Sequence, residues 1–329
     1  MIKYKKLIAL MAVCGLAVVG VGCASGAVGE QNRAENTVGN SQVEEVQTVT
    51  ISHQYGEVTV PKNPTSVAVF DFGILDTLQK LGVESITGIP KDASSRPAYL
   101  DEYAAKEYSN IGGLKEANFE ALYELQPEII FISGRLAPSY EELSKIAPVV
   151  YMAPDNADYM GSLKNNVATL AEIFGEEGEA EEIISTIEEK AAKIEAAVVE
   201  QGSNALITMV NKGEVSVYGK VSRFGMIHNT LGFKPTDANI DDSTHGQTVT
   251  FEYLAEVNPD YLFVVDKNAI SGGSETAKDT LNNPIVANMK VAKEDKVIYL
   301  NPTAWYITPG GLTASGIMID EVGAALGIK

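Results

Sequence analysis

One pattern of thirteen residues occurs twice, and it constrains the fold more than any other feature of the chain. Phe119-Glu120-Ala121-Leu122-Tyr123-Glu124-Leu125-Gln126-Pro127-Glu128-Ile129-Ile130-Phe131 reads as a short helix, a Pro-acid turn and a buried strand. Phe251-Glu252-Tyr253-Leu254-Ala255-Glu256-Val257-Asn258-Pro259-Asp260-Tyr261-Leu262-Phe263 repeats it. The Phe-Glu start, the leucine, the second glutamate, the proline and the closing phenylalanine fall in register. A cation follows each strand at the same offset, Arg135 in the first half and Lys267 in the second. A Pro-acid turn can recur by chance, but the whole register implies two halves built on one plan.

Around the repeat, short β-rich runs alternate with helical patterns, the rhythm of an α/β protein. Strands are predicted at 58–60, 66–70, 129–132, 149–152, 205–210, 261–265 and 296–300, and a helix at 74–81 closed by Gly82. Residues 178–201 carry Ile183, Ile184, Ile187, Ile194 and Val198 at helical spacing among Glu, Lys and Ala. Such a helix is either a strut joining two α/β units or a crossover within one larger sheet, and the repeat favours the strut. The chain has 329 residues, more than one core usually organises.

The amino terminus is of another kind. Lys3, Lys5 and Lys6 precede an apolar run from residue 7 to 22. That run is short for a membrane span, which takes about 20 apolar residues, and it ends in small residues as an export signal does. The sequence Gly20-Val21-Gly22-Cys23 resembles a bacterial lipobox, with Gly20 where the pattern usually has an aliphatic residue. It predicts removal of residues 1–22 and lipidation of Cys23; the alternative is an uncleaved anchor with two incidental cysteines. The segment that follows is polar and rich in Gly, Asn, Gln and Glu, and so reads as a disordered tether. The expected organisation is a signal peptide at 1–22, a tether at 23–48, an N-terminal lobe at 49–175, an interlobe helix at 176–202 and a C-terminal lobe at 203–329.

Cys14 falls in the signal and Cys23 would carry lipid, which leaves the folded part without a thiol for a disulfide, a metal site or a nucleophile. The formal charge of −19 becomes −22 once the three signal lysines are removed. A surface this acidic excludes nucleic-acid binding as a main role. Any anion site must then be a local basic patch working against the global field.

Ligands of two-lobed proteins bind where loops at strand ends converge. Arg135 in Ser133-Gly134-Arg135, Arg223 in Ser222-Arg223-Phe224-Gly225 and Lys267 after Asp266 all follow predicted strands. Each taken singly could be a surface cation paired with one of the many acids. Together they predict a positive cleft, and guanidinium forks suit paired anionic oxygens. Of the three histidines, His245 in Ser243-Thr244-His245-Gly246 lies in a polar loop and is a ligand candidate; His53 and His228 read as structural. Tyr306 precedes Pro309-Gly310-Gly311 and is either a packing residue or a phenol on a glycine-rich loop. Asp71-Phe72-Gly73 lacks any accompanying phosphate or catalytic loop, and no Walker, nucleophile-elbow or His-Glu-x-x-His motif occurs.

Taken in order, Ser133-Gly134-Arg135, Ser222-Arg223-Phe224-Gly225-Met226-Ile227-His228, Ser243-Thr244-His245-Gly246-Gln247, Asn258-Pro259-Asp260-Tyr261-Leu262-Phe263-Val264-Val265-Asp266 and Trp305-Tyr306 resemble the siderophore-binding lipoproteins of bacterial iron ABC importers. The likeness covers the chain from about Val49 onward and is greatest to the subgroup for catecholate siderophores of the enterobactin and petrobactin types. The resemblance implies a helical-backbone fold of two Rossmann-like lobes joined by one long α-helix. It implies that Arg135, Arg223 and Lys267 face an anionic ferric catecholate, with Trp305 at the same ligand site. Lys267 stands where the subgroup commonly has arginine, which keeps the charge but not the bidentate fork. By the same likeness His245 and Tyr306 bind iron directly when a tetradentate cargo leaves two coordination positions open. Glu120 and Glu252 dock on the arginines of a permease dimer, with its ATPase beyond.

The implied protein is a monomer without intrinsic cofactor or catalytic residues, anchored at the outer face of the cytoplasmic membrane (the cell surface in a Gram-positive organism). Binders of haem, cobalamin or hydroxamates on the same fold are the nearest alternatives, and the three cations favour an anionic catecholate over neutral hydroxamates. A secreted metal enzyme using His245, Asp241 and Asp242, or a zinc or manganese binder, would need more histidines and a spaced ligand motif.

Overall fold

The computed structural model describes residues 47–92, 95–236, 239–241, 243 and 245–328. The expected signal, Cys23 and the tether up to residue 46 lie outside the described residues. Among the described residues no helix is long and apolar enough to cross a membrane.

An antiparallel hairpin of β1 (Thr48–His53) and β2 (Gly56–Pro61) leads into a five-stranded parallel sheet. That sheet comprises β3 (Val67–Val69), β4 (Ile86–Ile89), β5 (Ser109–Asn110), β6 (Ile129–Ile132) and β7 (Val149–Tyr151), in the order β5-β4-β3-β6-β7. The second sheet comprises β8 (Asn204–Asn211), β9 (Glu214–Tyr218), β10 (Lys234–Pro235), β11 (Gln247–Val249), β12 (Tyr261–Asp266) and β13 (Val297–Leu300). Its order is β11-β9-β8-β12-β13, with β10 on the start of β8. The helices that matter for the site are α1 (Phe72–Lys80), α2 (Phe119–Leu125), α3 (Tyr159–Phe174), α4 (Glu177–Gln201), α5 (Phe251–Val257) and α6 (Leu312–Ala325). Two separate sheets with α4 between them in sequence give the two-lobed α/β architecture joined by one long helix. At 25 residues, α4 is about 37 Å long.

Strands β3 and β6 are apolar at every position and β12 at all but its last, Asp266, because both faces are covered. Successive side chains point to opposite faces. Ile129 and Phe131 accordingly join a core continuous through both lobes, while Ile130 and Ile132 join an outer core of the first lobe. In β12, Tyr261, Phe263 and Val265 enter the shared core, and Leu262 and Val264 enter an outer core of the second lobe. Helix α4 contributes Ala180, Ile184, Ile187, Ala191, Ile194 and Val198 to the shared core and packs against α3 and α6. Ile183, at the edge of the expected stripe, is only half-buried.

The repeat is structural as well as sequential. Both α2 and α5 have seven residues, side-chain caps from Asn118 and Thr250, and a left-handed residue at the carboxyl end, Gln126 (φ 48°) and Asn258 (φ 41°). The acid after each proline ties its strand to the start of the neighbouring one. Glu128 accepts the backbone N–H groups of Thr65 and Ser66, and Asp260 accepts that of Asn204.

Six strands, β1, β4, β5, β9, β10 and β11, fall where none is predicted. Residues 214–218 form β9, antiparallel to β8 across a turn at Lys212 and Gly213. His53, placed ahead of a strand, lies within β1 and bonds through Nε2 to the Val149 carbonyl at 3.1 Å.

The lobes are fastened through the chain's last helix. Asp76 of α1, wholly buried, accepts the Thr313 and Ala314 N–H groups at 3.0 and 2.8 Å at the start of α6 and the Tyr99 hydroxyl at 3.1 Å. Burial pushes its carboxyl up, against these hydrogen bonds, which favour the ionised form. The contact is so close that a Cβ on Gly311 would lie 2.2 Å from Asp76 Oδ2. Gly311→Ala is therefore expected to lose about 1–3 kcal/mol of stability. Gly316→Ala, on the same helix with open space around it, is expected to gain about 0.5–1 kcal/mol. Chemical denaturation of the two variants beside the parent chain measures both.

Candidate functional site

In each sheet the strand order reverses at one point, between β3 and β6 in the first lobe and between β8 and β12 in the second. Connections there run to opposite sides, which opens a crevice at the carboxyl ends of the strands. Arg135 lies three residues past β6 and Lys267 directly past β12, so the two cations of the repeat occupy equivalent switch points. Lys267 is held there by its backbone N–H on the Val210 carbonyl at 3.0 Å.

A cleft of about 810 Å³ runs between the lobes and is lined in part by Gly112, Lys115, Arg135, Lys267, Tyr306 and Ile307. A smaller recess of about 150 Å³ shares Lys267 and Tyr306 with it and adds Tyr218, Arg223, His245 and Glu214. The structure thus brings Arg135, Arg223, Lys267, His245 and Tyr306 to one connected space. Ser95 Oγ of the first lobe donates to the Ile270 carbonyl of the second across the cleft.

Tyr306 is the centre of the arrangement. It lies on a five-residue π-helical turn, Thr303–Ile307, rather than in an open loop. The Arg223 guanidinium lies 4.6 Å from its ring centroid and the Lys267 ammonium 5.3 Å, the geometry of cation–π contact. Burial raises its phenol, but Arg223, Lys267 and Arg135 together outweigh it and hold the group below the ordinary tyrosine range. A phenol set among cations gives up its proton more readily than an ordinary tyrosine.

His245 is exposed on a loop pinned by its own carbonyl, which accepts the Tyr218 hydroxyl at 2.9 Å. Gly246 makes the pinning possible, because a Cβ there would lie 2.7 Å from the Tyr218 ring. Asp242 and Thr244, beside it, are outside the described residues. His228 is buried, with Nδ1 on the Phe233 carbonyl at 2.9 Å, and burial holds its pKa below the usual value. Among the described residues no group of three or more His, Cys, Asp or Glu side chains could hold a metal ion.

Trp305 differs from expectation. It is 1% exposed, donates from Nε1 to Glu321 at 2.9 Å, meets Phe224 edge-on, and lines neither cavity. Its neighbour Tyr306 takes the cleft position because adjacent side chains on a tight helical turn point in different directions. Glu120 and Glu252 are exposed in the first turns of α2 and α5, away from the cleft lining.

Some cleft residues carried no sequence signal. Tyr218 and Glu214 belong to β9, whose alternation Glu-Val-Ser-Val-Tyr after Lys-Gly could have revealed the strand and hence its cleft-facing side. The loop from Gly112 to Asn118 reaches the cleft through tertiary packing that no local pattern announces.

The fold and the cleft define a two-lobed substrate-binding protein. The family model described as periplasmic binding protein matches residues 67–304, and the chain belongs to that family. It is 41% identical over 277 residues to the petrobactin-binding protein YclQ of Bacillus subtilis (strain 168), which covers 83% of this chain and 87% of that protein. It is 32% identical over 330 residues to the ferric-anguibactin-binding protein FatB of Vibrio anguillarum, covering 98% of each. The crystal structure of YclQ superposes with a TM-score of 0.82 at 40% identity, covering 86% of this chain and all of that one. That of the catecholate-siderophore binding protein VctP of Vibrio cholerae gives 0.80 at 31%, covering 84% and 100%.

The charge arrangement at Tyr306 generates a testable consequence. Its phenol should ionise at lower pH than the other tyrosines, and Arg223→Ala should move that ionisation upward. The ultraviolet tyrosinate difference spectrum between the parent chain and Tyr306→Phe, recorded against pH, isolates the group. An ionisation in the ordinary tyrosine range would contradict the electrostatic account.

Proposed function

We propose that the protein captures a ferric catecholate siderophore in the interlobe cleft and delivers it to an ABC permease dimer driven by its ATPase. The observation that carries the reading is the pairing of Arg223 and Lys267 over the ring of Tyr306, with Arg135 at the same cleft. Ferric bis-catecholate is monoanionic and tris-catecholate trianionic, so both match a positive cleft in a protein of formal charge −19. A bis-catecholate leaves two coordination positions of iron open. Tyr306 and His245, which line one recess, would fill them with a phenolate oxygen and an imidazole nitrogen. A tris-catecholate would leave both as outer contacts. The cargoes for which the relatives are named, petrobactin, ferric anguibactin and a catecholate siderophore, support this class of ligand. Binding requires no turnover, and Arg135, Arg223, Lys267, His245 and Tyr306 act by complementarity alone, with Trp305 packed beneath Tyr306's turn.

In this reading the chain is exported, cleaved before Cys23 and held as a monomeric lipoprotein at the outer face of the cytoplasmic membrane. Residues 23–48 serve as the tether, and lobes at 49–175 and 203–329 flank the helix at 176–202. Two acyl chains suffice for stable anchoring.

Fluorescence titration of protein lacking residues 1–23 with ferric bis-catecholate, ferric tris-catecholate and a ferric hydroxamate tests the cargo. Trp305, the only tryptophan, is one residue from Tyr306 and should be quenched by energy transfer to a bound ferric complex. Catecholates are expected to bind and hydroxamates not. Arg223→Ala should weaken catecholate binding roughly 10- to 100-fold, the size of losing charge-assisted hydrogen bonds. Hydroxamate binding without catecholate binding would sink the cargo claim.

Glu120 and Glu252 are the proposed docking acids, one on each lobe. Reversing both to lysine is expected to abolish siderophore-dependent iron uptake by cells while leaving the cargo affinity of the isolated protein unchanged. Undiminished uptake would remove them from the docking surface.

A further inference from the structure

We propose that Asp71 is a positioning residue for cargo capture: acting through Arg135, it fixes the turn that carries Tyr306 to the N-terminal lobe. This rests on the reading of the cleft as a ferric catecholate site and adds to it how the phenol is held in place.

The geometry divides the Asp71 carboxylate between two tasks. Oδ1 caps α1, accepting the Gly73 and Ile74 N–H groups at 2.8 and 3.2 Å. Oδ2 accepts the Ser133 hydroxyl and lies 3.6 Å from Arg135 Nη1. The guanidinium then reaches the other way. Nη2 donates to the Tyr306 carbonyl at 2.7 Å and Nη1 to the Ile307 carbonyl at 3.3 Å. Arg135 therefore grips the last turn of the π-helix by its backbone, and Asp71, itself 8% exposed, aims the grip. A π-turn leaves carbonyls imperfectly paired, which gives an arginine fork something to hold.

This places the two halves of the Tyr306 environment on different bodies. The backbone of Tyr306 is tied to the first lobe by Arg135, and four residues on Gly310 donates to Tyr159 of α3. The cations over its ring, Arg223 and Lys267, come from the second lobe. Arg135 keeps further N–H groups to offer an anion, so it can touch cargo and hold Tyr306 together.

Asp71→Asn separates positioning from charge because the two accounts predict opposite signs. The amide oxygen can still cap α1, and the Ser133 hydroxyl can turn to accept from its NH₂, but that NH₂ faces the donor-only guanidinium of Arg135. If Asp71 acts only as a negative charge near an anionic complex, removing it strengthens binding. If it positions Arg135 and through it Tyr306, removal weakens binding of a ferric bis-catecholate about tenfold. The loss should shrink in a Tyr306→Phe background to what Arg135's own contact with cargo contributes, since the two changes share one chain of contacts.

The experiment is a binding titration of parent, Asp71→Asn, Tyr306→Phe and double variant with ferric bis-catecholate, with hydrogen–deuterium exchange of the cargo-free proteins. Faster exchange at 303–311 in Asp71→Asn, with weakened binding that depends on Tyr306, is the expected result. Unchanged exchange there, tighter binding, or a loss of the same size without Tyr306 would overturn the proposal. If the parent chain binds no ferric catecholate, the cargo reading fails, and the exchange measurement still decides whether Asp71 holds the turn.

Discussion

The contact between Asp76 and the start of α6 is the constraint on which the rest of the molecule hangs. A buried carboxylate in the first lobe accepts two backbone N–H groups of the helix that follows the second lobe's last strand. The exposed N–H groups at a helix start are unsatisfied donors that favour negative charge, so the pairing answers a need on both sides. It also fixes where the chain must pass between β13 and α6. That passage is the turn of Tyr306, gripped by Arg135 and stacked under Arg223 and Lys267. The site is thus assembled on the segment between β13 and α6, which both lobes contact, rather than on either lobe alone.

The duplicated helix–turn–strand unit explains why cations converge there. In each half the unit delivers its strand to the centre of a sheet, beside the point where strand order reverses, and places a basic residue just beyond it. Two copies facing one another give a pair of charges across a cleft without a dedicated binding loop. The acid after each proline, Glu128 or Asp260, is bound to the neighbouring strand's start and so holds the register on which that placement depends. In a protein of formal charge −19, this local concentration of positive charge distinguishes the cleft from the rest of the surface.

Differences between the two cations follow from their surroundings. Arg135 has a fork that spans two carbonyls and a carboxylate, a task for which lysine lacks the donors in a plane. Lys267 approaches a ring, for which a compact ammonium on a flexible stem suffices. The replacement of one kind of cation by the other across the repeat is therefore matched to what each touches.

Much of this was legible in the chain itself. Apolar runs with β-branched residues marked the central strands, the spacing of Ile184, Ile187, Ile194 and Val198 marked α4, and the repeat announced two lobes, because these depend on local periodicity and burial. The cations past each strand were equally readable, since topology carries strand ends to a crevice. What the sequence could not settle was which way neighbouring side chains turn and which distant groups they meet. Trp305 and Tyr306 are adjacent and both aromatic, yet one is buried against Glu321 and the other faces the cleft. β9 lies where the sequence predicts no strand, and Asp71, part of a stray motif in the sequence, is bonded to Ser133 and Arg135. Periodicity is a property of consecutive residues, whereas the bonds of Asp71 to Ser133 and of Arg135 to Ile307 close over 62 and 172 residues of separation and exist only once the chain has folded.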